Sequence, residues 1–186
     1  MKKTIVVGSI IADIAIYTPA FPKDGETVVA SEIRRSPGGK GSNQATGAHR
    51  AGSEAVMIAR LGQDAECDMV MAHYKKEGMT TKYLLPDPEH GTGLAFIEIH
   101  TATAQNRIII DLGANSYLTR EDVLRAREEF ADSSVVLSQL ETTLEAVEAA
   151  KELASHYNKP FILNTAPYRE VPDSLFNGID YITPNE

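Results

Sequence analysis

The sequence predicts an α/β protein with a mainly parallel sheet and a small second β-sheet. Short apolar segments with the character of buried strands alternate with stretches of helical pattern along most of the 186 residues. Parallel strands need a crossover between them, and helices of this length supply it. Two β-rich excursions, residues 14–35 and 94–111, break the alternation. We expect them to pair as the small sheet and to project over the ligand end of the main one.

The first half of the chain contains the elements that set this rhythm. Residues 5–7 indicate a buried strand that ends at a glycine turn. A helix is predicted at residues 44–51, after a glycine cluster, and a strand at residues 54–61. The pattern of residues 65–77 is helical, and Gly78 is placed to end that helix. Within the two excursions, the strand-like pieces are residues 14–17, 27–30, 94–100 and 107–111.

Two capping-box sequences, at residues 119–122 and 142–145, each open a predicted helix in the last third of the chain. The first helix is expected to run to about Phe130, and the second carries an apolar stripe. Three further apolar segments have the length of buried strands: residues 135–140, 161–163 and 181–182. The elements divide the chain into an incomplete main α/β domain and a small β lid. The main domain comprises residues 1–13, 36–93 and 112–186, and the lid comprises residues 14–35 and 94–111.

Charge and cysteine content limit the partners and the compartment. The formal net charge of −8 argues against a surface that neutralises nucleic-acid phosphates. The single cysteine, Cys67, cannot form an internal disulfide, which indicates a reducing compartment. The apolar run at residues 4–17 superficially resembles a signal peptide, but Asp13 interrupts it, and no stretch approaches the roughly 20 apolar residues of a membrane span. We therefore expect a cytoplasmic protein that binds neither nucleic acid nor a membrane.

The densest glycine cluster, Gly-Gly-Lys-Gly-Ser-Asn at residues 38–43, stands immediately before a predicted helix. Unpaired backbone N–H groups collect there, and glycines allow a ligand to approach them closely. The structural alternative is a surface turn with Ser42 as the helix N-cap. A P-loop is excluded because Lys40 is followed by Gly41, and a dinucleotide fingerprint is excluded because Gln44 stands in place of its last glycine.

A longer match decides between these interpretations. The eight residues 38–45 resemble the amino-terminal signature of the ribokinase family, the PfkB-type carbohydrate kinases, and the match is closest to its ribokinase branch. The resemblance implies a three-layer α/β/α sandwich with a small β-sheet lid, of which the carboxyl-terminal part is missing. Further family landmarks follow in order along essentially the whole chain: Gly8-Ser9-Ile10 with Asp13, Pro22 with Gly25-Glu26-Thr27-Val28, Gly113-Ala114-Asn115, Gln139-Leu140-Glu141 and Thr183-Pro184-Asn185-Glu186.

The resemblance also implies which residues bind ligands. Asp13 is expected to accept hydrogen bonds from two sugar hydroxyls, and Glu141 to contact the sugar or the hydrated metal region at the carboxyl edge of the sheet. Asn185 is expected near the nucleotide phosphates. The structural alternatives are a turn residue for Asp13, a solvated side chain for Lys40 and a favourable charge before a helix for Glu141. The residues expected along the sugar are Ile11, Asp13, Gly39, Lys40, Gly41, Ser42, Asn43 and Glu141.

Ile11 departs from the family pattern. The family has an asparagine at this position, and that asparagine contacts the sugar. An aliphatic side chain removes both donor and acceptor, so a hydroxyl facing it would stay unpaired at a cost of roughly 1–3 kcal/mol. The substrate therefore stays open between a less hydroxylated sugar, a nucleoside and a differently oriented sugar.

The family's catalytic Gly-Ala-Gly-Asp segment has no counterpart in the sequence. Its Asp deprotonates the sugar hydroxyl, and its backbone N–H groups hold the phosphate being transferred, so the chain lacks both functions. We therefore expect the chain to be the sugar-binding, amino-terminal portion of an ATP-dependent, Mg²⁺-requiring carbohydrate kinase, and to be inactive alone. No catalytic or metal-binding residue is assigned in this chain, and dependence on a monovalent cation stays open.

Two other functions compete with this interpretation. The first is a truncated, non-catalytic module that binds a sugar or regulates a partner, which the missing base would explain. The second is a nicotinamide-dependent dehydrogenase, which is compatible with the sheet but has no fingerprint in the sequence. The family resemblance further implies a homodimer that forms through the β lid.

Overall fold

The computed structural model describes residues 2–185, which form two sheets and the helices around them. The strands are β1 (Lys3–Val7), β2 (Ile11–Thr18), β3 (Glu32–Gly38), β4 (Glu54–Leu61), β5 (Leu84–Pro86), β6 (Gly93–His100), β7 (Asn106–Asp111), β8 (Val135–Gln139), β9 (Phe161–Asn164) and β10 (Tyr181–Ile182). The helices are α1 (Lys40–Arg50), α2 (Ala65–Glu77), α3 (Arg120–Leu124), α4 (Arg127–Ala131) and α5 (Leu144–His156), with 3₁₀ turns at Gly113–Tyr117 and Asp173–Phe176. Within this range, no helix is long and apolar enough to cross a membrane.

The main sheet consists of six parallel strands in the order β10-β9-β8-β1-β4-β5. Along the chain, the strands after β1 are added first on one side, as β4 and β5, and then on the other side, as β8, β9 and β10. The carboxyl ends of β1 and β8 therefore flank a topological switch point, which is where open α/β sheets bind their ligands.

Both faces of the main sheet are covered. Side chains alternate between the faces of a strand, so Ile5 and Val7 enter one apolar cluster while Val6 enters the other. Residues from α3, α4 and α5 complete the first cluster, and residues from α1 and α2 complete the second. The result is the three-layer α/β/α arrangement expected from the sequence.

The small sheet has the strand order β3-β2-β6-β7. β2 pairs with β6 in parallel, and β3 and β7 pair antiparallel on the outer sides. The β2–β6 pairing joins the two β-rich excursions, as the sequence suggested. The register places Ile11 beside Gly38 and Gly93, and Asp13 beside Ala95. Ile11 and Asp13 therefore lie on the same face of the small sheet.

The predicted bounds agree with the structure where local signals are strong. β4 and α2 have the predicted limits, and Gly78 ends α2 in the left-handed region at φ 76°. The capping box at Thr119 is formed with Asp122, whose side chain and backbone exchange hydrogen bonds with the cap residue.

One strand prediction and one helix prediction were wrong. Residues 27–30 do not form a strand, because the partner of β2 is β3, whose pairing runs from Tyr17 opposite Glu32 to Ile11 opposite Gly38. The helix expected to reach Phe130 without a break is divided into α3 and α4.

The cap of α5 lies one residue later than predicted. Thr143, not Thr142, accepts from the Ala146 backbone N–H at 3.1 Å. The Thr142 hydroxyl instead donates to the Asn115 carbonyl at 3.2 Å, so the first threonine ties α5 to the neighbouring 3₁₀ turn.

Candidate functional site

Two polar residues meet at the switch point. Ser9 follows β1 and Glu141 follows β8, and the parallel pairing of those strands brings them together. The Ser9 hydroxyl donates to Oε2 of Glu141 at 2.7 Å. Glu141 is only 2% exposed, so its charge needs partners inside the protein.

Glu141 also holds the first turn of α1. The Lys40 backbone N–H donates to Oε2 at 2.8 Å, and the Lys40 ammonium lies 2.9 Å from Oε1. The carboxylate therefore receives two hydrogen bonds and an ion pair, which stabilise its buried charge. Lys40 is ion-paired rather than freely solvated, and its partner is the acidic residue predicted to lie at the same site.

The glycine cluster lets the loop before α1 pack against β2. Gly39 has φ 85°, a conformation that residues with a side chain rarely adopt. A Cβ at Gly38 would collide with the Asp13 carboxylate, and one at Gly41 would lie 2.6 Å from the Ser9 carbonyl oxygen. The cluster is therefore a close-packed junction rather than a loose surface turn.

Ser42 does not cap α1. The N-cap is Gly39, without a side-chain hydrogen bond, and Ser42 lies inside the helix, where it accepts from the Tyr74 hydroxyl at 3.2 Å. Its backbone N–H donates to the Ser9 carbonyl, and the Gly41 N–H donates to the Ser9 hydroxyl. Gly41 and Ser42 thus tether α1 to the β1–β2 loop.

Asp13 is the second acidic residue of the site and is partly buried on β2. Burial raises its pKa above the ordinary value, the nearby Glu141 charge raises it further, and Lys40 opposes the shift. Among residues 2–185, no side chain or backbone N–H donates to the Asp13 carboxylate within hydrogen-bond distance. Its oxygens are therefore available to accept hydrogen bonds from a ligand.

A cavity of about 150 Å³, here called the central cavity, lies where one face of the small sheet meets the start of α1 and the end of β8. Six of the residues predicted to contact a sugar line it: Ile11, Asp13, Gly39, Lys40, Asn43 and Glu141. Gly41 and Ser42 do not line it, and Asn185 is exposed beyond β10. The remaining lining is an aliphatic wall of Ala95, Ile97, Ile108 and Ile110 from β6 and β7, on the same face of the small sheet as Ile11 and Asp13.

Sequence reasoning did not assign this aliphatic wall. The signal was present, because Ala95 and Ile97 in one strand, and Ile108 and Ile110 in the next, are each two residues apart and so share a face. The missing information was the register of β6 against β2, which sets which face meets the cavity.

The sequence identifies Asn115 only as a motif landmark, but in the structure Asn115 organises the base of the small sheet. Its fully buried amide accepts from the Ile10 N–H at 2.9 Å and donates to the carbonyls of Ile10 and Leu112, each at 2.8 Å. It therefore fastens the point where the chain enters β2 to the point where it leaves β7.

These features define a class of protein. The structure is an α/β sandwich in which Glu141, at the switch point, and Asp13, on β2 of the small sheet, line one small cavity together with aliphatic side chains of the small sheet. Such a site suits a small hydroxylated ligand, because carboxylates accept from hydroxyls while the hydrocarbon wall covers the carbon skeleton. Within the described residues, no group of three or more His, Cys, Asp or Glu side chains is placed to hold a metal ion.

The chain belongs to the pfkB family of carbohydrate kinases, whose family model matches residues 1–186. Ribokinase from Haemophilus influenzae is 37% identical over 187 aligned residues, which cover 100% of this chain and 61% of the relative. Deoxyribokinase from Salmonella typhimurium is 35% identical, over 97% of this chain and 59% of the relative.

A solved structure agrees with this assignment. Arabidopsis thaliana ribokinase complexed with ribose and ATP matches with a TM-score of 0.86 and 28% identity, over 100% of this chain and 61% of that chain. The chain thus spans about 60% of the length of the relatives it matches.

Proposed function

We propose that the intact protein is a carbohydrate kinase that transfers the γ-phosphoryl group of ATP to a hydroxyl of a small sugar, with this chain supplying the sugar-binding half. The observation that carries the proposal is the pair of acidic residues, Asp13 and Glu141, on a small cavity at the switch point. Membership of the pfkB family and the names of the relatives, ribokinase and deoxyribokinase, support it.

Each polar residue of the central cavity has a role in this proposal. Asp13 accepts from two sugar hydroxyls, since its carboxylate has no donor among the described residues. Lys40 and the Asn43 amide contact further hydroxyls, and the Gly39 backbone lies along the sugar. Glu141 orients Lys40 and the first turn of α1 through the contacts at 2.8 and 2.9 Å. Gly41 and Ser42 act indirectly, because their N–H groups hold α1 against Ser9.

The transfer itself needs groups that we assign to the rest of the intact protein. The sugar hydroxyl oxygen forms a bond to the γ-phosphorus, the bond from that phosphorus to the ADP oxygen breaks, and the hydroxyl proton passes to a base. We place Asn185, which follows β10 at the carboxyl edge of the main sheet, near the nucleotide phosphates. The residues that would hold Mg²⁺ are assigned to the rest of the intact protein, where the bound ion would neutralise part of the phosphate charge, and this chain's contribution is to bind and orient the sugar.

The test is sugar-dependent release of ADP by the full-length protein, measured across pentoses, hexoses and nucleosides with ATP and Mg²⁺. We expect at least one small sugar to stimulate release. If no sugar does so, the kinase proposal fails. Sugar binding by the intact protein without any ADP release would instead favour a non-catalytic, sugar-binding module.

We also propose that the small sheet is a lid over the sugar and a contact between two copies of the chain. Its two faces support this, because both carry exposed apolar residues. Ile33, Phe96 and Ile109 lie on one face, while Ile108 and Ile110 lie on the other. A sheet that is packed against the protein on one side only ordinarily turns a polar face to water. Two apolar faces fit a sheet that covers a ligand with one side and a second subunit with another.

A further inference from the structure

A second cavity lies where the small sheet meets the start of α2. It has a volume of about 200 Å³. Ala12 and Ile14 of β2 line it, and their side chains point away from the central cavity because side chains alternate along a strand. Met69 of α2 extends this apolar lining. Ile109, on the same face, belongs to β7 at the other edge of the small sheet. The second cavity is therefore separate from the sugar site.

The second cavity also carries two charged groups of opposite sign. Arg35 lies beside Ile14 on β3, and Glu66 belongs to the first turn of α2. Among residues 2–185, neither of these side chains forms an ion pair or a side-chain hydrogen bond. The neighbouring Arg34, in contrast, points to the opposite face of β3 and pairs with Glu32 at 2.7 Å. A guanidinium and a carboxylate without charged partners in the described chain thus line one apolar cavity.

This combination selects a class of ligand. A ligand with only a negative charge would meet the Glu66 carboxylate, and a ligand with only a positive charge would meet the Arg35 guanidinium. A zwitterion satisfies both, because a guanidinium binds a carboxylate and a carboxylate accepts from an ammonium group. The volume is below the roughly 300–1,000 Å³ of pockets that hold drug-sized molecules, so the ligand is small. An α-amino acid with a branched aliphatic side chain meets these requirements.

Strand β2 separates the second cavity from the central cavity. Asp13 lines both cavities, whereas its neighbours Ala12 and Ile14 line only the second one. A ligand in the second cavity therefore contacts the strand that carries the Asp13 carboxylate. It also touches both the small sheet and α2, so it stabilises the arrangement in which the central cavity is formed. Binding at the two cavities is then coupled, and the coupling is reciprocal.

We propose that the second cavity is an effector site for a small amino acid with a branched aliphatic side chain, and that its occupation raises the affinity of the sugar site. The amino-acid carboxylate pairs with Arg35 and its ammonium group with Glu66. Its side chain packs against Ala12, Ile14 and Met69. The binding step is independent of the proposed kinase function, whereas the coupling rests on a sugar lying in the central cavity.

The first test is calorimetric binding of L-leucine to the full-length protein. Its two singly charged analogues, 4-methylpentanoate and 3-methylbutylamine, are the matched probes. We expect L-leucine to bind with a Kd of about 1 mM or tighter, and each analogue to bind at least roughly 10-fold more weakly. Equal binding of either analogue would overturn the zwitterion assignment, and no binding of L-leucine would overturn the effector site. Neither result depends on the release of ADP, which tests the kinase proposal separately.

Two variants locate the amino acid. Arg35→Gln and Glu66→Gln each remove one charge from the lining, and each should weaken L-leucine binding by roughly 10-fold or more. Neither side chain is buried, so both variants should fold. Arg34→Gln and Asp68→Asn, at exposed positions outside the lining, are the controls and should bind L-leucine normally. Wild-type affinity in both Arg35→Gln and Glu66→Gln would mean that L-leucine binds elsewhere.

The second test measures the coupling in the full-length protein. The probe is the sugar that gives the largest ADP release in the panel above, and its Kd is measured with and without saturating L-leucine. We expect the sugar to bind roughly 5-fold more tightly with L-leucine, and this gain to be lost in Glu66→Gln. Unchanged or weaker sugar binding would overturn the coupling and leave the amino-acid site. If no sugar binds, the coupling fails together with the proposed sugar site, while the L-leucine measurements still decide the second cavity.

Discussion

The main sheet and the small sheet are built from similar β-forming residues, but these residues are buried to different extents. Ile5, Val6 and Val7 of β1 are fully buried between helices. In β7, Ile108, Ile109 and Ile110 are 51%, 71% and 43% exposed. The central strands of the main sheet are thus covered by helices of this chain, whereas the small sheet keeps apolar side chains exposed. In our proposals, a sugar covers part of one face and a second copy covers part of the other.

The junction between the two sheets is where the polar residues concentrate. Buried and partly buried hydrogen bonds there join the β1–β2 loop, α1 and the end of β7, through Ser9, Lys40, Glu141 and Asn115. Substitutions at this junction should therefore affect the main sheet and the small sheet to different extents. Substitutions on the outer surface of the small sheet, away from the second cavity, should affect only the association of two copies.

Glu141→Ala should have the largest effect. It leaves the Lys40 ammonium, the Lys40 N–H and the Ser9 hydroxyl without their acceptor, so we expect the free energy of unfolding to fall by about 3 kcal/mol and sugar binding to be lost. Chemical denaturation and calorimetry measure the two effects. Glu128→Ala, at an exposed position of α4, is the matched control and should change neither by more than about 0.5 kcal/mol. Wild-type affinity in a folded Glu141→Ala protein would contradict the proposed site.

Asn115→Ala should loosen the small sheet more than the main one. Three hydrogen bonds of a fully buried amide are removed, and we expect a loss of roughly 2–3 kcal/mol. Hydrogen exchange should accelerate in β2 and β7 while the amides of β1 and β4 keep their protection, because the amide holds only the base of the small sheet. Equal acceleration in both sheets would mean that they unfold as one unit.

The wrong strand prediction, at residues 27–30, belongs to the small sheet, whereas the wrong helix end and the wrong helix cap belong to the main domain. β4 and α2 were predicted from local pattern, a strand-like segment and a helix that ends at Gly78. β3 has the sequence Glu-Ile-Arg-Arg-Ser-Pro-Gly, which carries no alternating apolar pattern, and it is a strand because β2 pairs with it. Pairing between distant segments cannot be read from local propensity.

The candidate site shows the same limit. Its polar residues could be predicted, because a glycine cluster and acidic residues after buried strands are visible in sequence. The contact of Ser9 with Glu141 could not, since it depends on β1 lying beside β8. The aliphatic wall likewise needed the register of β6, and the role of Asn115 needed the path of the chain between the sheets.

Asp13→Asn should weaken sugar binding by roughly 10- to 100-fold, because a carboxylate that accepts from two hydroxyls becomes an amide. Calorimetry measures the loss. Ser36→Ala, opposite Asp13 on β3, is the control on the same sheet and should bind normally.

The same variant should change stability in a pH-dependent way. Burial raises the folded-state pKa of Asp13, so the native state holds its proton to a higher pH than the unfolded state does. The ionised carboxylate therefore costs stability, and this cost grows as the pH rises from the unfolded to the folded pKa. We expect Asp13→Asn to be more stable than wild type at neutral pH, and the difference to vanish at a pH below both values. A difference that grows on acidification would have the wrong sign.

Ile109→Lys should have the smallest effect on the fold. Ile109 is 71% exposed, so we expect the free energy of unfolding at fixed association state to change by no more than about 0.5 kcal/mol, while the full-length protein shifts from dimer to monomer in analytical ultracentrifugation. Tyr168→Lys replaces another exposed apolar residue away from the small sheet and should leave association unchanged. If the wild-type full-length protein is a monomer, the proposed contact between two copies is wrong.

The most direct test of the central claim is hydrogen exchange of the full-length protein with and without a bound sugar. The site described above requires slower exchange at residues 39–43 and in β2, β6 and β7, because the sugar lies between α1 and the small sheet. β4 lies inside the main sheet and should be unchanged. Protection confined to other segments, with residues 39–43 and the small sheet unaffected, would contradict the placement of the sugar in the central cavity.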